Sequence, residues 1–215
     1  MRNIQIKKCP KCGSVRVAPI LYGLPAFSED LDRRIRSEEI YLGGCCRSEF
    51  DAQYHCFSCK KGIGTPPVLI SRYGIEDYRD IVTSIHFSDG GFFGGFDEVH
   101  FQKNAAGIVV KIVPSFTRET LPVERAVKAD EWQAILDKLF CALCIHEWRK
   151  SYNDYSVLDG EQWAIELRLT NGRQRNIYGS NAFPPYWQRL KRLLKPYFDE
   201  CPPKGIEESD PHDRS

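Results

Sequence analysis

Cys9-Pro-Lys-Cys12 lies near the start of the chain, and Cys56-Phe-Ser-Cys59 repeats its pattern after a long insert. In each Cys-x-x-Cys turn, both sulfurs can point to one metal ion while backbone N–H groups of the turn hydrogen-bond them. Two such pairs provide the four thiolates that a tetrahedral structural Zn²⁺ takes. The spacing therefore predicts structural zinc as the cofactor, bound by Cys9, Cys12, Cys56 and Cys59 in a closed site that leaves no position for water.

The segment between the two pairs is longer than the roughly 15–20 residues that separate the pairs of most zinc ribbons. Ser28 is a candidate N-cap and Glu29 suits the positive end of a helix dipole, so a short inserted helix is predicted here. A strand at 39–42 follows it. Gly13 and Gly62, which come after the two pairs, are expected to form the tight turns. Because so small a module has little core, metal binding is expected to supply much of its folding energy.

The remaining cysteines have less regular settings. Cys45 and Cys46 are interpreted as buried small residues, although either could replace one of the four predicted ligands. His55 is interpreted as a strand residue beside the second pair. Cys141 and Cys144 form a third Cys-x-x-Cys, but it falls in the middle of a predicted helix and lacks two further ligands, so packing is the favoured interpretation.

Composition sets limits on the class of protein. The chain has 215 residues, 42% of them hydrophobic, and a net charge of +1, which excludes a strongly basic or acidic protein as a whole. No apolar run approaches the about 18 residues of a membrane span, and the first residues do not form a signal peptide. Nine cysteines, an odd number, suit a reducing compartment, so a cytoplasmic protein without membrane contact is expected.

Four short runs carry a resemblance to a zinc-ribbon segment found in many uncharacterised bacterial proteins: Cys9-Pro-Lys-Cys-Gly-Ser14, Pro19-Ile-Leu-Tyr-Gly-Leu-Pro25, Leu42-Gly-Gly-Cys45 and Cys56-x-x-Cys59. The resemblance covers about residues 7–64. It implies a four-cysteine zinc site at Cys9, Cys12, Cys56 and Cys59, and it brings no known activity with it.

The rest of the chain predicts a mostly antiparallel sheet. Alternating apolar residues predict about five strands, at 81–87, 96–103, 107–116, 161–169 and 173–178. A turn at 104–107 and the pair Asn171-Gly172 are expected to close two hairpins. The fold class is therefore α+β, with a zinc ribbon that contains an inserted helix, followed by this sheet and two helices.

The run Gly90-Gly-Phe-Phe-Gly-Gly95 invites comparison with a phosphate-binding loop. It lacks the Lys-Ser/Thr that such a loop needs, and no helix follows it. A hairpin loop or bulge is therefore predicted. Phe92 and Phe93 would then form an exposed contact site, which is the alternative of more functional interest.

Two helices are predicted in this second region. One spans 128–152 with Asp130 as candidate N-cap, and the other runs from 186 to about 195. The segment from Gly160 through Asn171-Gly172 to Pro184 is similar to a C-terminal pattern in small bacterial proteins of unknown function, which implies a strand–turn–strand–helix unit and no catalytic residues. The predicted organisation is a zinc ribbon at 1–64, an α+β domain at 71–198 and a disordered tail at 199–215, with 62–67 as linker.

These patterns favour a zinc-binding protein that acts through a protein partner, as an interaction or regulatory module and not as an enzyme. The closed thiolate site and the lack of a clustered catalytic set support this interpretation. The sequence leaves the partner's identity and the oligomeric state undetermined.

Nucleic-acid binding is the alternative. Basic residues flank the two cysteine pairs and recur near the C-terminus, where they could contact phosphates. The first group is Lys7, Lys8, Lys11, Arg16, Lys60 and Lys61, and the second is Arg173, Arg175, Arg189, Arg192 and Lys195. An enzymatic site around Asp97, Glu98 and His100 is a third hypothesis, weakened because Asp97 and His100 would lie on opposite faces of a strand.

Overall fold

The structure, a computed structural model, describes residues 6–48, 50–65, 68–71, 74–157 and 160–204. Within these ranges the protein has the predicted α+β class, with four α-helices and sheets of four and seven strands beside a two-stranded hairpin. No helix in these ranges is both long and apolar enough to span a membrane.

The N-terminal sheet is small. Its strands are β1 (Val17–Leu21), β2 (Tyr41–Leu42), β3 (Tyr54–Cys56) and β4 (Lys61–Ile63), in the order β2-β1-β3-β4. Helix α1 (Glu29–Arg36) lies in the insert between β1 and β2. Ser28 caps it as predicted, since its hydroxyl accepts a hydrogen bond of 3.1 Å from the backbone N–H of Leu31.

A short connection joins the two regions. Strands β5 (Val68–Ser71) and β6 (Gly74–Asp77) pair as a hairpin, and helix α2 (Tyr78–Ile81) follows at once. The side chain of Asp77 accepts a hydrogen bond of 2.9 Å from the N–H of Arg79 and so caps α2. Of the predicted linker at 62–67, residues 66 and 67 lie outside the described residues.

The main sheet is mostly antiparallel, as predicted. Its strands are β7 (Val82–Gly91), β8 (Gly95–Asn104), β9 (Gly107–Val113), β10 (Val123–Ala126), β11 (Ser151–Asn153), β12 (Gln162–Leu169) and β13 (Gln174–Ser180). Their order is β10-β9-β8-β7-β12-β13-β11, and β11 alone pairs in parallel with its neighbour.

The prediction of about five strands and two helices is wrong. The five predicted strands correspond to β7, β8, β9, β12 and β13, which form the centre of the sheet. The two edge strands, β10 and β11, have only four and three residues, too few for alternation to stand out. Helix α1 is the inserted helix predicted in the ribbon, and the unpredicted helix is α2, a single turn of four residues within the second region.

The long helix predicted at 128–152 is broken. Helix α3 (Ala129–Asp137) begins after Lys128, which makes no side-chain capping bond, so Asp130 lies in the first turn and does not cap it. A π-helical turn (Lys138–Ala142) follows. Cys144 then adopts a left-handed φ of 52°, and a short 3-10 turn (Ile145–Glu147) leads to β11. A left-handed residue cannot continue an α-helix. The apolar residues that suggested one long helix therefore extend beyond the end of α3.

The apolar core lies on one face of the main sheet. Ile135 of α3, together with Leu190 and Leu194 of α4 (Trp187–Asp199), packs against strand residues such as Ile85 and Val99. The other face is more polar, with Ser84 and His86 on β7 opposite Gln102 and His100 on β8. Helices α3 and α4 therefore cover the apolar face of the sheet and leave the polar face uncovered by them.

The end of the described chain packs against the main domain. Cys201 is buried, the N–H of Leu121 donates to the carbonyl of Pro202 at 2.8 Å, and the N–H of Lys204 donates to Glu119 at 2.8 Å. The sequence predicts a disordered tail from 199 onward. Residues 199–204 make these contacts, and 205–215 lie outside the described residues.

Candidate metal centre

The four cysteines of the two Cys-x-x-Cys pairs meet at one point. Their sulfur atoms all lie within 4.8 Å of one another. Cys9 Sγ lies 3.8 Å from Cys59 Sγ, and Cys12 Sγ lies 3.6 Å from Cys56 Sγ. A tetrahedron with Zn–S bonds of about 2.3 Å has S–S edges of about 3.8 Å, so these two distances match this coordination and the cluster is compact enough to hold one ion.

The two turns that carry the cysteines bind their first sulfur in the same way. The backbone N–H groups of Lys11 and Cys12 donate to Cys9, and those of Ser58 and Cys59 donate to Cys56. The hydroxyls of Ser14 and Ser58 also hydrogen-bond each other at 2.7 Å and join the two turns. Such N–H donors stabilise thiolates, so the backbone itself favours the charged ligand form.

Both turns need a residue with positive φ directly after the second cysteine. Gly13 takes this position in the first turn with a φ of 78°, as predicted. In the second turn it is Lys60, with a φ of 54°, and not Gly62, so the prediction for Gly62 is wrong. Gly62 has a different constraint, because a Cβ there would lie 2.7 Å from the Cβ of Ala52.

The protonation of the cluster differs from thiol to thiol. Burial raises the pKa of Cys9 far above its usual value, and burial with the thiols of Cys56 and Cys12 raises the pKa of Cys59. Burial also acts to raise the pKa of Cys56, but the N–H groups of Cys59 and Ser58 outweigh it and leave that pKa lowered. Four sulfurs this close together are mutually unfavourable as thiolates without a cation.

The other residues considered near the site lie outside it. Cys45 and Cys46 are exposed in a loop, with their sulfurs 3.8 Å apart, so the expectation that they are buried is wrong. Neither belongs to the four-cysteine cluster. His55 lies on β3 and stacks on Tyr41 with ring centroids 3.7 Å apart, which agrees with its interpretation as a strand residue.

Cys144, the second cysteine of the third pair, lies at the junction between the two regions. Cys144 is buried in an apolar cluster that contains Ile6, Ile63 and the sulfur-bearing Cys9 and Cys56. Burial raises the pKa of Cys144 to about 12, so this thiol is neutral and packs as a small apolar group. This position agrees with the packing interpretation of Cys144. The thiol packs against residues of the ribbon, and it lies at a break in the predicted helix.

His146 and Glu147 connect the same junction through hydrogen bonds. Glu147 Oε1 accepts from the backbone N–H groups of Gly64 at 2.8 Å and Thr65 at 3.2 Å. His146 Nε2 lies 3.2 Å from the carbonyl oxygen of Thr65, to which it donates. Burial lowers the pKa of His146 to about 4 and raises the pKa of Glu147. Sequence reasoning missed this role, and two polar residues within an apolar segment were the one signal for it.

The three residues of the enzymatic hypothesis do not share one face of the sheet. Asp97 is paired with Arg118 at 2.6 Å and also accepts from the N–H of Ser115. Glu98 Oε2 lies 3.2 Å from the imidazole of His86, on the polar face of the sheet. His100 Nε2 lies 2.9 Å from the hydroxyl of Ser84 on the same face, whereas Asp97 lies on the other face, beside α4.

An ion-pair group around the buried Asp89 lies near Asp97 and was not predicted. Lys191 Nζ lies 2.8 Å from Asp89 Oδ2 and 3.0 Å from Glu161 Oε1. Burial, followed by the neighbouring Glu161 carboxylate, raises the pKa of Asp89 to about 6. Asp89 and Asp97 both line a small cavity of 230 Å³ beside α4.

The glycine-rich run forms a hairpin loop, as predicted. It joins β7 to β8, which pair up to Gly91 and Gly95. Phe92 and Phe93 are 88% and 77% exposed, with ring centroids 5.4 Å apart in an edge-to-face arrangement. Two adjacent exposed aromatic rings are a candidate contact site.

Fold and cluster together define an α+β protein with four cysteines that could hold a metal ion. No protein-family model matches the chain, and neither a curated protein nor a solved structure matches it.

Proposed function

We propose that the protein is a non-enzymatic binding protein whose N-terminal ribbon is stabilised by one structural Zn²⁺ at Cys9, Cys12, Cys56 and Cys59. The observation that carries this proposal is the spacing of the four sulfurs, all within 4.8 Å of one another. Zinc is the metal that an all-thiolate tetrahedral site most often takes in proteins.

A structural role fits the donor set better than a catalytic one. Four protein ligands fill a tetrahedral coordination shell, which leaves no position for a water nucleophile. The apolar residues Ile6 and Ile63 pack around the buried Cys9 and Cys56 and limit access of solvent. An ion in this place would join the first cysteine turn to the second turn and to the end of β3.

Partner binding is supported by surface features of the main domain. Phe92 and Phe93 are exposed in a loop whose two ends are paired as strands β7 and β8, and this pairing fixes the position of the loop. Phe116 is also exposed. Its ring lies next to Gly95 at the end of this loop, so close that a Cβ at Gly95 would come within 2.7 Å of it. Exposed aromatic residues grouped in this way are typical of protein contact sites.

Nucleic-acid binding is the second candidate, and one observation favours it. Lys8 is joined to the start of α4, since its backbone N–H donates to the hydroxyl of Tyr186 at 3.1 Å. Arg189 lies over the ring of the same Tyr186, 5.0 Å from its centroid. Basic residues of the ribbon and of α4 are thus neighbours. Arg16 and Lys195, by contrast, are paired with Glu38 and Asp199.

Metal analysis of single cysteine variants tests the first proposal. The protein as purified should contain one equivalent of zinc, and Cys56→Ser should lose it. Cys46→Ser is the matched control, because this thiol is exposed and outside the cluster, and it should retain the metal. Protein that is free of metal and unfolds identically with and without zinc would contradict the proposal.

Salt dependence separates the two candidate functions. Binding to mixed-sequence DNA or RNA that weakens steeply with salt, and that Lys8→Glu and Arg189→Glu reduce, would favour the nucleic-acid function. Retention of a protein partner that Phe92→Ser and Phe93→Ser abolish, at unchanged zinc content, would favour the first.

A further inference from the structure

A cavity of 370 Å³ lies beside the hairpin of β12 and β13, near the turn that joins the two strands. Its lining includes three basic side chains and an apolar wall: Lys150, Arg173 and Arg175, with Tyr78, Leu167 and Leu169. Among the described residues that line it there is no carboxylate. The cavity is therefore a concave site with concentrated positive charge.

Arg175 is the residue whose environment is most unusual. One of its terminal nitrogens donates to the carbonyl oxygen of Trp148 at 2.9 Å. Its Nε is buried and has no hydrogen-bond partner among the described residues. Burial also holds the pKa of Arg175 below its usual value. A partly buried guanidinium without a paired carboxylate is unfavourable, and an anion beside it in the cavity is the group that would compensate its charge.

Other partly buried arginines of the same domain are compensated. Arg79 pairs with Asp77 and Asp137, Arg118 with Asp97, and Arg125 with Glu131 and Glu200. In the described part of the chain, neither Arg175 nor Lys150 nor Arg173 has such a carboxylate. The positive charges at this cavity thus lack the carboxylate partners that the other arginines have.

The three cations are held by different elements that meet at β13. Arg173 and Arg175 flank its first residue, and the carbonyl of Lys150, just before β11, accepts from the N–H of Tyr178 on β13 at 3.1 Å. An anion in the cavity would therefore be approached from two sides. A phosphate group, with several oxygens and up to two charges, suits this arrangement better than a single carboxylate.

We propose that this cavity, the Arg175 pocket, binds a phosphate group, with the attached organic part of the ligand against Tyr78, Leu167 and Leu169. The volume of 370 Å³ falls within the range of small-molecule sites. The phosphate belongs either to a small phosphorylated molecule or to a nucleic acid. The proposal is independent of the zinc site, whose ligands lie in the other region.

Calorimetric titration of the full chain at low salt tests the pocket with four probes: adenosine, AMP, pyrophosphate and a mixed-sequence single-stranded oligonucleotide. At least one phosphate-bearing probe should bind, and adenosine should not. Lys150→Glu and Arg173→Glu should each weaken binding by about tenfold or more, as expected for the loss of a charge-assisted contact. Lys103→Glu, an exposed residue on β8, makes the same charge change outside the pocket and should leave binding unchanged.

The source of the phosphate follows from which probe binds. Binding of AMP or pyrophosphate indicates a small phosphorylated ligand, whereas binding of the oligonucleotide alone, with a steep salt dependence, indicates nucleic acid. Failure of every phosphate-bearing probe at low salt would overturn the proposal. Equal affinities of the wild type, Lys150→Glu and Arg173→Glu would also overturn it.

Arg175 itself is tested by a thermal shift, because its removal also changes the packing. The phosphate-bearing probe that binds should raise the melting temperature of the wild type, since a ligand stabilises the state that binds it. The same concentration should not shift that of Arg175→Met, which keeps the aliphatic stem and loses the charge. An equal shift in both proteins would contradict a role for Arg175.

Discussion

The ribbon and the main domain differ in what stabilises each of them. In the ribbon, the buried cluster consists of Ile6, Cys9, Cys56 and Ile63, and Cys144 of the other region completes it. In the main domain, an apolar core extends across the sheet and both long helices. A region with so few buried apolar side chains gains little from burial, so it depends on the proposed metal and on the junction.

Removal of the metal should have the largest effect, and it should be confined to the ribbon. Structural zinc contributes about 10–16 kcal/mol in small zinc modules at neutral pH. With a strong chelator, backbone amides of β3 and β4 should lose protection from hydrogen exchange, while those of β7 and β8 keep theirs. Hydrogen exchange followed by mass spectrometry makes this regional comparison.

The exposed cysteine provides the control for this experiment. Cys46→Ser should show the same regional response to the chelator as the wild type, since its sulfur lies outside the cluster. If β7 and β8 lose protection together with β3 and β4, the two regions unfold as one. If no region responds, the ribbon is stable without metal.

A cavity in the core should have the opposite regional effect. Leu136 is fully buried in the main domain, so Leu136→Ala should lower the free energy of unfolding of this domain by about 2–5 kcal/mol. Zinc content should stay unchanged, because the ribbon does not include this residue. Urea denaturation followed by circular dichroism, with metal analysis of the same sample, measures both.

Leu121→Ala is the matched control for the core variant. Leu121 is 45% exposed, so the same truncation there should cost well under the amount expected for Leu136. A loss of zinc in Leu136→Ala at neutral pH, before the domain unfolds, would show that the ribbon depends on the sheet as well as on its metal.

The sequence predicts those parts of the fold that local patterns determine. The central strands β7, β8, β9, β12 and β13 alternate over seven or more residues, and their turns carry glycine or asparagine. The four cysteines could be grouped because each pair has a fixed local geometry. The Ser28 cap and the loop at Phe92 and Phe93 were predicted for the same reason.

The features that were missed depend on distant contacts. Strands β10 and β11 are short and become strands because β9 and β13 offer free edges. The break at Cys144 follows an apolar run that would suit a helix equally well. The pairing of Glu147 with Gly64 and Thr65 joins residues far apart in the chain, and no local pattern specifies it.

Acid should weaken the junction through His146, while Glu147, whose pKa is raised by burial, acts in the opposite direction. This imidazole is buried and neutral, with a pKa lowered to about 4 from its usual value of 6.5. As the pH falls below about 6.5, the unfolded state takes up the proton first, so stability is lost progressively until about pH 4. The shift corresponds to at most about 3 kcal/mol, of which about 2 kcal/mol should be lost at about pH 5.

His146→Gln separates this contribution from acid effects on the thiolates. The glutamine amide can still donate to Thr65, but it does not titrate. Urea denaturation at about pH 7 and about pH 5 should therefore show a smaller loss in His146→Gln than in the wild type, while metal release at low pH acts on both proteins alike. Equal losses would mean that His146 is not held neutral at the junction. A smaller loss in the variant would show that a buried polar contact joins the ribbon to the sheet, whereas the proposed metal stabilises the ribbon itself.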